Sequence, residues 1–112
     1  MKRNQITTEQ IEDLTQIFGY DFNLILPTVD EIIDYLREKY QIIIYHKASP
    51  FVDPRNMRIT YCFAVKRCSL RDGWNGRILI GSTEWGYDIY QLKREAISMA
   101  LNYLKNQKND KN

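Results

Sequence analysis

The chain has 112 residues, with 16 lysines and arginines against 14 aspartates and glutamates and a formal net charge of +2. Hydrophobic residues make up 44% and charged residues 27%. That is the balance of one ordinary globular domain, and it excludes a disordered chain, a collagen-like fibre and a disulfide-dense scaffold.

No apolar run approaches the ~18–20 residues that cross a bilayer. Lys2 and Arg3 have no apolar stretch behind them, so no secretory leader is expected. Cys62 and Cys68 are too few for a disulfide framework or a four-ligand zinc site. Read on one strand they stand about 20 Å apart, well beyond bridging distance. Reduced thiols and a cytoplasmic location are the expectation.

In chain order, residues 7–18 read as a short helix. Thr7 and Gln10 have capping-box spacing, Ile11, Leu14, Ile17 and Phe18 recur at helical spacing, and Gly19 is a stop signal. Residues 20–26 alternate through Tyr20, Phe22, Leu24 and Leu26, which allows a short strand. A second helix follows Pro27, with Thr28 as N-cap, Glu31 three residues on, and an apolar face of Val29, Ile32, Ile33, Leu36 and Tyr40.

The period then changes. Gln41-Ile42-Ile43-Ile44-Tyr45 is β-branched and aromatic and reads as a first strand. Pro50 and Pro54 bracket a loop. Residues 57–68 alternate so regularly that they read as one long strand, with Met57, Ile59, Tyr61, Phe63 and Val65 facing the core. Asp72-Gly73 and Asn75-Gly76 supply turn chemistry before a third strand over 77–85. Asp88 caps a last helix whose buried stripe is Ile89, Leu92, Ala96, Met99, Ala100, Tyr103 and Leu104, and residues 106–112 read as a frayed tail.

The expected fold is therefore α+β: an α-β-β-β-α core over 27–105, with a three-stranded antiparallel sheet carrying two helices on one face. Residues 1–26 form an N-terminal extension with an extra helix and a possible short strand, and the whole 1–112 is one domain.

The stretch Tyr35-Leu36-Arg37-Glu38-Lys39-Tyr40-Gln41-Ile42, three strands, and a last helix with Glu95-Ala96-Ile97 and Ala100-Leu101-Asn102-Tyr103-Leu104 resemble a known group. These are small uncharacterised proteins encoded by phages and mobile elements of Bacteroides-type gut bacteria. The resemblance spans about residues 28–104 and implies the fold and a phage or mobile-element origin. The core topology also resembles the double-stranded-RNA-binding domain, whose last helix begins with a basic cluster similar to Lys93-Arg94-Glu95-Ala96. Ile97 stands at the third basic position of that cluster, and Ser49-Pro50-Phe51-Val52 stands where that family has a Gly-Pro-x-His loop.

Residue chemistry points away from catalysis. His46 is the only histidine, no glycine-rich phosphate loop follows a strand, and no His/Cys/carboxylate set has metal-ligand spacing. Asp30, Glu31, Asp34 and Glu38 read as a solvated helix face. No enzyme activity, cofactor, metal or small-molecule substrate is expected.

Charge is unevenly spread: residues 1–55 carry six basic and nine acidic residues, net −3, whereas 56–112 carry ten and five, net +5. The halves can neutralise each other across the fold, or the second can meet an acidic partner. A nucleic-acid reading gathers Lys66, Arg67, Arg71 and Arg77 at the hairpin between the second and third strands, and adds Lys93 and Arg94 at the start of the last helix. Trp74 at the hairpin tip is then available to stack on a base.

The competing reading is a protein contact, with a partner or a second copy. The sheet face away from the helices carries Ile43, Tyr45, Cys62, Ala64 and Leu79, more apolar than solvent demands. Trp74, Trp85 and Tyr87 are of the type enriched at binding hot spots. Tyr45, Trp74, Leu79 and Trp85 are the candidate contact residues. Alternatively, the first helix and residues 20–26 fold back over that face. The first expectation is a small non-catalytic binding or adaptor protein acting through this face and the basic hairpin. RNA or DNA binding is the alternative.

Overall fold

The computed structural model describes residues 3–21, 25–68 and 77–110. In chain order it has α1 (Thr8–Gln16), α2 (Val29–Tyr40), β1 (Ile42–His46), β2 (Phe51–Asp53), β3 (Arg58–Thr60), β4 (Phe63–Cys68), β5 (Arg77–Ser82) and α3 (Ile89–Asp110). The class is α+β, with an antiparallel sheet ordered β1-β4-β5 and a second, two-stranded sheet made of β2 and β3.

Local chemistry sets the helix ends. Thr7 Oγ1 accepts from the Gln10 amide at 3.1 Å and Gln10 Oε1 accepts from the Thr7 amide at 3.0 Å, so the capping box of α1 is complete. Gly19, at φ +65°, takes the left-handed backbone that turns the chain away after α1. The Thr28 hydroxyl accepts from the Glu31 amide at the start of α2. Asp88 Oδ1 accepts from the Tyr90 and Gln91 amides at the start of α3.

Packing is one-sided. Ile42, Ile44, Phe63, Val65 and Ile80 turn from the sheet into a core with Val29, Ile32 and Leu36 of α2 and Leu92, Ala96, Ile97, Ala100, Leu101 and Leu104 of α3. Ile6, Leu14 and Phe18 belong to that same core, so residues 3–18 are built into the helical side. Buried Gln10 donates to the Arg94 carbonyl at 2.7 Å and to Ser98 Oγ at 2.8 Å, and Lys105 pairs with Asp13 at 2.9 Å, which ties α1 to α3. The chain before α1 is held to the start of α2 by a Gln5–Thr28 bridge and by the Val29 amide on the Asn4 carbonyl.

Several expectations are corrected. Residues 57–68 are not one strand. Arg58–Thr60 pairs with β2, Tyr61 exchanges two backbone bonds with Gly86, and β4 begins at Phe63 between β1 and β5. The run changes partner twice while its apolar alternation continues, so Met57 and Ile59 end exposed and Phe63 and Val65 buried. The segment between Pro50 and Pro54 is not a loop but strand β2, because both prolines flank the ladder rather than interrupt it. Residues 20, 21, 25 and 26 lie in no strand, and the rest of that possible strand lies outside the described residues. Tyr20 instead packs edge-on against Tyr35 at 4.7 Å, while Ile25 is 83% exposed.

The third strand ends at Ser82 rather than at 85. The expected frayed tail is helical to Asp110, where Lys108 Nζ donates to the Ile17 carbonyl at 2.7 Å and Gln107 Nε2 donates to the Tyr103 hydroxyl at 2.6 Å.

Candidate functional site

β-Strand alternation assigns side chains to the two faces of the sheet. With Ile42, Ile44, Phe63 and Val65 in the core, Ile43, Tyr45, Ala64, Lys66 and Cys68 turn to the other face. On β5, Leu79 stands opposite Lys66 and belongs with them, past a bulge at Val65/Lys66. Leu79 is 62% exposed, and Ile43 and Tyr45 are half-buried by their neighbours alone. The Lys66 ammonium lies 5.4 Å from the centre of the Tyr45 ring. A depression of about 140 Å³ opens between Ile43, Tyr45, Lys66 and Cys68. α1 does not cover this face, since its buried residues and its ties to α3 are on the helical side.

Two residues expected to be exposed on the open face are buried. Cys62, just before β4, is 2% exposed: its carbonyl accepts from the Lys47 amide and its thiol donates to the Thr83 carbonyl at 3.1 Å. Ala64 is small and sits between its cross-strand neighbours Tyr45 and Ser82, which leave it almost no accessible surface.

Trp85 is 47% exposed but stands apart from Tyr45 and Leu79, beyond the end of β5 and against the β2–β3 hairpin. Its ring meets Phe51 edge-on at 5.0 Å. It borders a cleft of about 570 Å³ with Arg58, Glu84, Tyr87, Asp88 and Glu95 around it. Gly86 in its wall packs on Leu92, where an added Cβ would lie 3.2 Å from a side-chain methyl. Trp74, the fourth candidate contact, lies outside the described residues.

The β2–β3 hairpin is held to this region by a network the sequence reading missed. Asp53, 4% exposed, accepts from Arg55 Nε at 3.1 Å, Arg55 Nη2 at 2.9 Å, the Arg55 amide at 2.9 Å and the Tyr87 hydroxyl at 2.7 Å. Asn56 Nδ2 donates to that hydroxyl, and the Arg58 guanidinium lies 4.6 Å over the Tyr87 ring. The side-chain bonds from Arg55, then Tyr87, then the Arg55 amide hold the Asp53 carboxyl well below the usual carboxylate range, against the opposing effect of its burial. Asp53 in turn raises Arg55. The signal was present as Asp53-Pro54-Arg55-Asn56, an Asx-type turn sequence. On the outer side Val52 and Ile59, directly opposite one another, are both about half exposed.

Among the described residues, the cations of the nucleic-acid reading do not share one surface. Lys66 and Arg67 alternate to opposite faces. Arg67 turns to α3, where it donates to Gln107 and lies 5.8 Å from the Tyr103 ring. Arg77 is opposite Cys68 in the ladder, and Arg71 lies outside the described residues. Lys93 is paired with Asp30 at 2.7 Å. Arg94, 9% exposed, donates to the Arg3 carbonyl at 2.8 Å, the Gln5 carbonyl at 3.1 Å and Gln91 Oε1 at 3.3 Å. It therefore anchors the N-terminal segment rather than facing solvent. His46 is exposed and tilts over Phe63 at 4.6 Å.

Among the described residues no three His, Cys, Asp or Glu side chains are grouped to hold a metal ion, and no helix is long and apolar enough to cross a membrane. No protein-family model, curated protein or solved structure matches the chain.

Proposed function

We infer that this chain is a small non-catalytic binding or adaptor protein whose contact surface is the open face of the β1-β4-β5 sheet. The supporting observation is the one-sided packing of the helices, which among the described residues leaves Leu79 exposed and Ile43 and Tyr45 only half-buried. Large apolar side chains left in water on one sheet face, here on either side of Lys66, are characteristic of a contact site, whether for a partner protein or a second copy. A cytoplasmic setting goes with this reading, since both cysteines are free thiols.

Leu79→Asp tests it. The position is more than half exposed but lies within β5, where Asp is disfavoured, so stability is expected to fall by about 1 kcal/mol. Immobilised wild-type protein is expected to retain a partner, or to self-associate in sedimentation, in a way that the variant does not. Equal behaviour of the two proteins removes the face from the account.

RNA or DNA binding is the weaker reading, because Arg94 and Lys93 are already committed within the chain. Of its cations with described side chains, Lys66 is left to it, and Arg71 lies outside the described residues. Binding of short duplexes and single strands that falls steeply with salt would favour it, and flat curves would remove it.

A further inference from the structure

The open face is apolar at its edges and charged at its centre. Lys66 occupies the central strand β4, with Ile43 opposite it on β1 and Leu79 opposite it on β5. Like Lys39, Lys47 and Arg58, Lys66 forms no ion pair among the described residues; what sets it apart is its place on the central strand, between apolar neighbours on both sides. Its ammonium lies over the Tyr45 ring.

This has a consequence for whatever covers the face. A wholly apolar occupant would strip water from the ammonium and leave it unpaired, which is heavily penalised. A second copy packed face to face with its two-fold axis at Lys66, the centre of the face, would set two ammonium groups against each other. A carboxylate over Lys66 removes both penalties. Next to that ammonium, the depression of about 140 Å³ between Ile43, Tyr45 and Cys68 is on the order of the space that takes one benzene-sized group.

Resting on the contact-surface reading above, we propose that the occupant is a segment of another protein presenting one large apolar side chain beside a carboxylate. The apolar group fills the depression and the carboxylate pairs with Lys66, flanked by Ile43 and Leu79. Charge at the centre of the face thus selects the partner, and the surrounding apolar contacts hold it.

The test selects displayed random peptides on the wild-type protein, with counter-selection on Leu79→Asp. Enriched peptides are expected to carry Asp or Glu beside Leu, Phe, Tyr or Trp. A synthetic copy should bind Lys66→Met roughly ten-fold more weakly than wild type. The same peptide with its acid changed to the amide should bind the two proteins equally, so that the loss belongs to the pair. Thermal unfolding of Lys66→Met at the wild-type midpoint, and of Lys66→Gln as a second variant, separates lost pairing from lost fold.

Enriched peptides that lack acids, or that bind Lys66→Met undiminished, overturn the pairing and leave the face in place. Peptides that bind Leu79→Asp as tightly as wild type, or no enrichment at all, overturn the face as well. A dimer in sedimentation that Leu79→Asp disperses assigns the face to a second copy and overturns the proposal.

Discussion

Gln10 makes four side-chain and amide bonds that serve two purposes at once, closing the N-terminus of α1 and joining α1 to α3. Being 2% exposed, it has no water to replace those bonds. Gln10→Ala is therefore expected to cost about 2 kcal/mol, read as a lower urea midpoint at unchanged slope. Asp53 gives a different signature. Its carboxyl is held below the usual range, so in the unfolded chain it takes up a proton first as pH falls. The stabilisation is fully present above the ordinary carboxylate value of about 4 and is lost progressively below it. Asp53→Asn lacks the charge at every pH, so its stability deficit against wild type should be constant near neutrality and shrink toward about pH 2.5. Denaturant unfolding at both values checks this, and a deficit that does not shrink contradicts the network.

At the scale of elements, α3 shows what patterning leaves out. Its expected stripe included Leu92, Ala96, Ala100 and Leu104, which are buried, but not Ile97 and Leu101, which are buried as deeply. A single stripe describes a helix with one covered side. α3 lies against the sheet, α2 and α1 together, so its covered sector is wider. Leu101→Ala should accordingly cost about 3 kcal/mol in unfolding free energy, whereas a change of about 0.5 kcal/mol or less would place it at a surface position. The caps at Thr7, Thr28 and Asp88 were legible because each depends on residues three apart in sequence. The break between β3 and β4 was not, because nothing local distinguishes a strand that keeps its partner from one that exchanges it. The open-face positions Ile43, Tyr45 and Leu79 followed from alternation. Cys62 was missed because alternation carries no sign of the Thr83 carbonyl that meets its thiol, and Lys66 and Arg67 could have been separated by the same alternation that was applied to their apolar neighbours.

For the molecule as a whole, the extra N-terminal helix decides how the sheet is used. Had it folded over Tyr45 and Leu79, the chain would be closed on both sides. By joining α2 and α3 through Leu14, Phe18 and Gln10 it enlarges one core and, among the described residues, leaves the second face of the sheet uncovered. The two cysteines report on this arrangement without any substitution. Cys62 is buried on the Thr83 carbonyl, and Cys68 borders the depression on the open face. The most direct measurement is the rate at which each thiol of the native protein reacts with a maleimide, resolved by peptide mass. The account predicts that Cys68 reacts readily and Cys62 only as the protein unfolds. Protection of Cys68 equal to that of Cys62 in the isolated chain would contradict it, because the face would then already be covered.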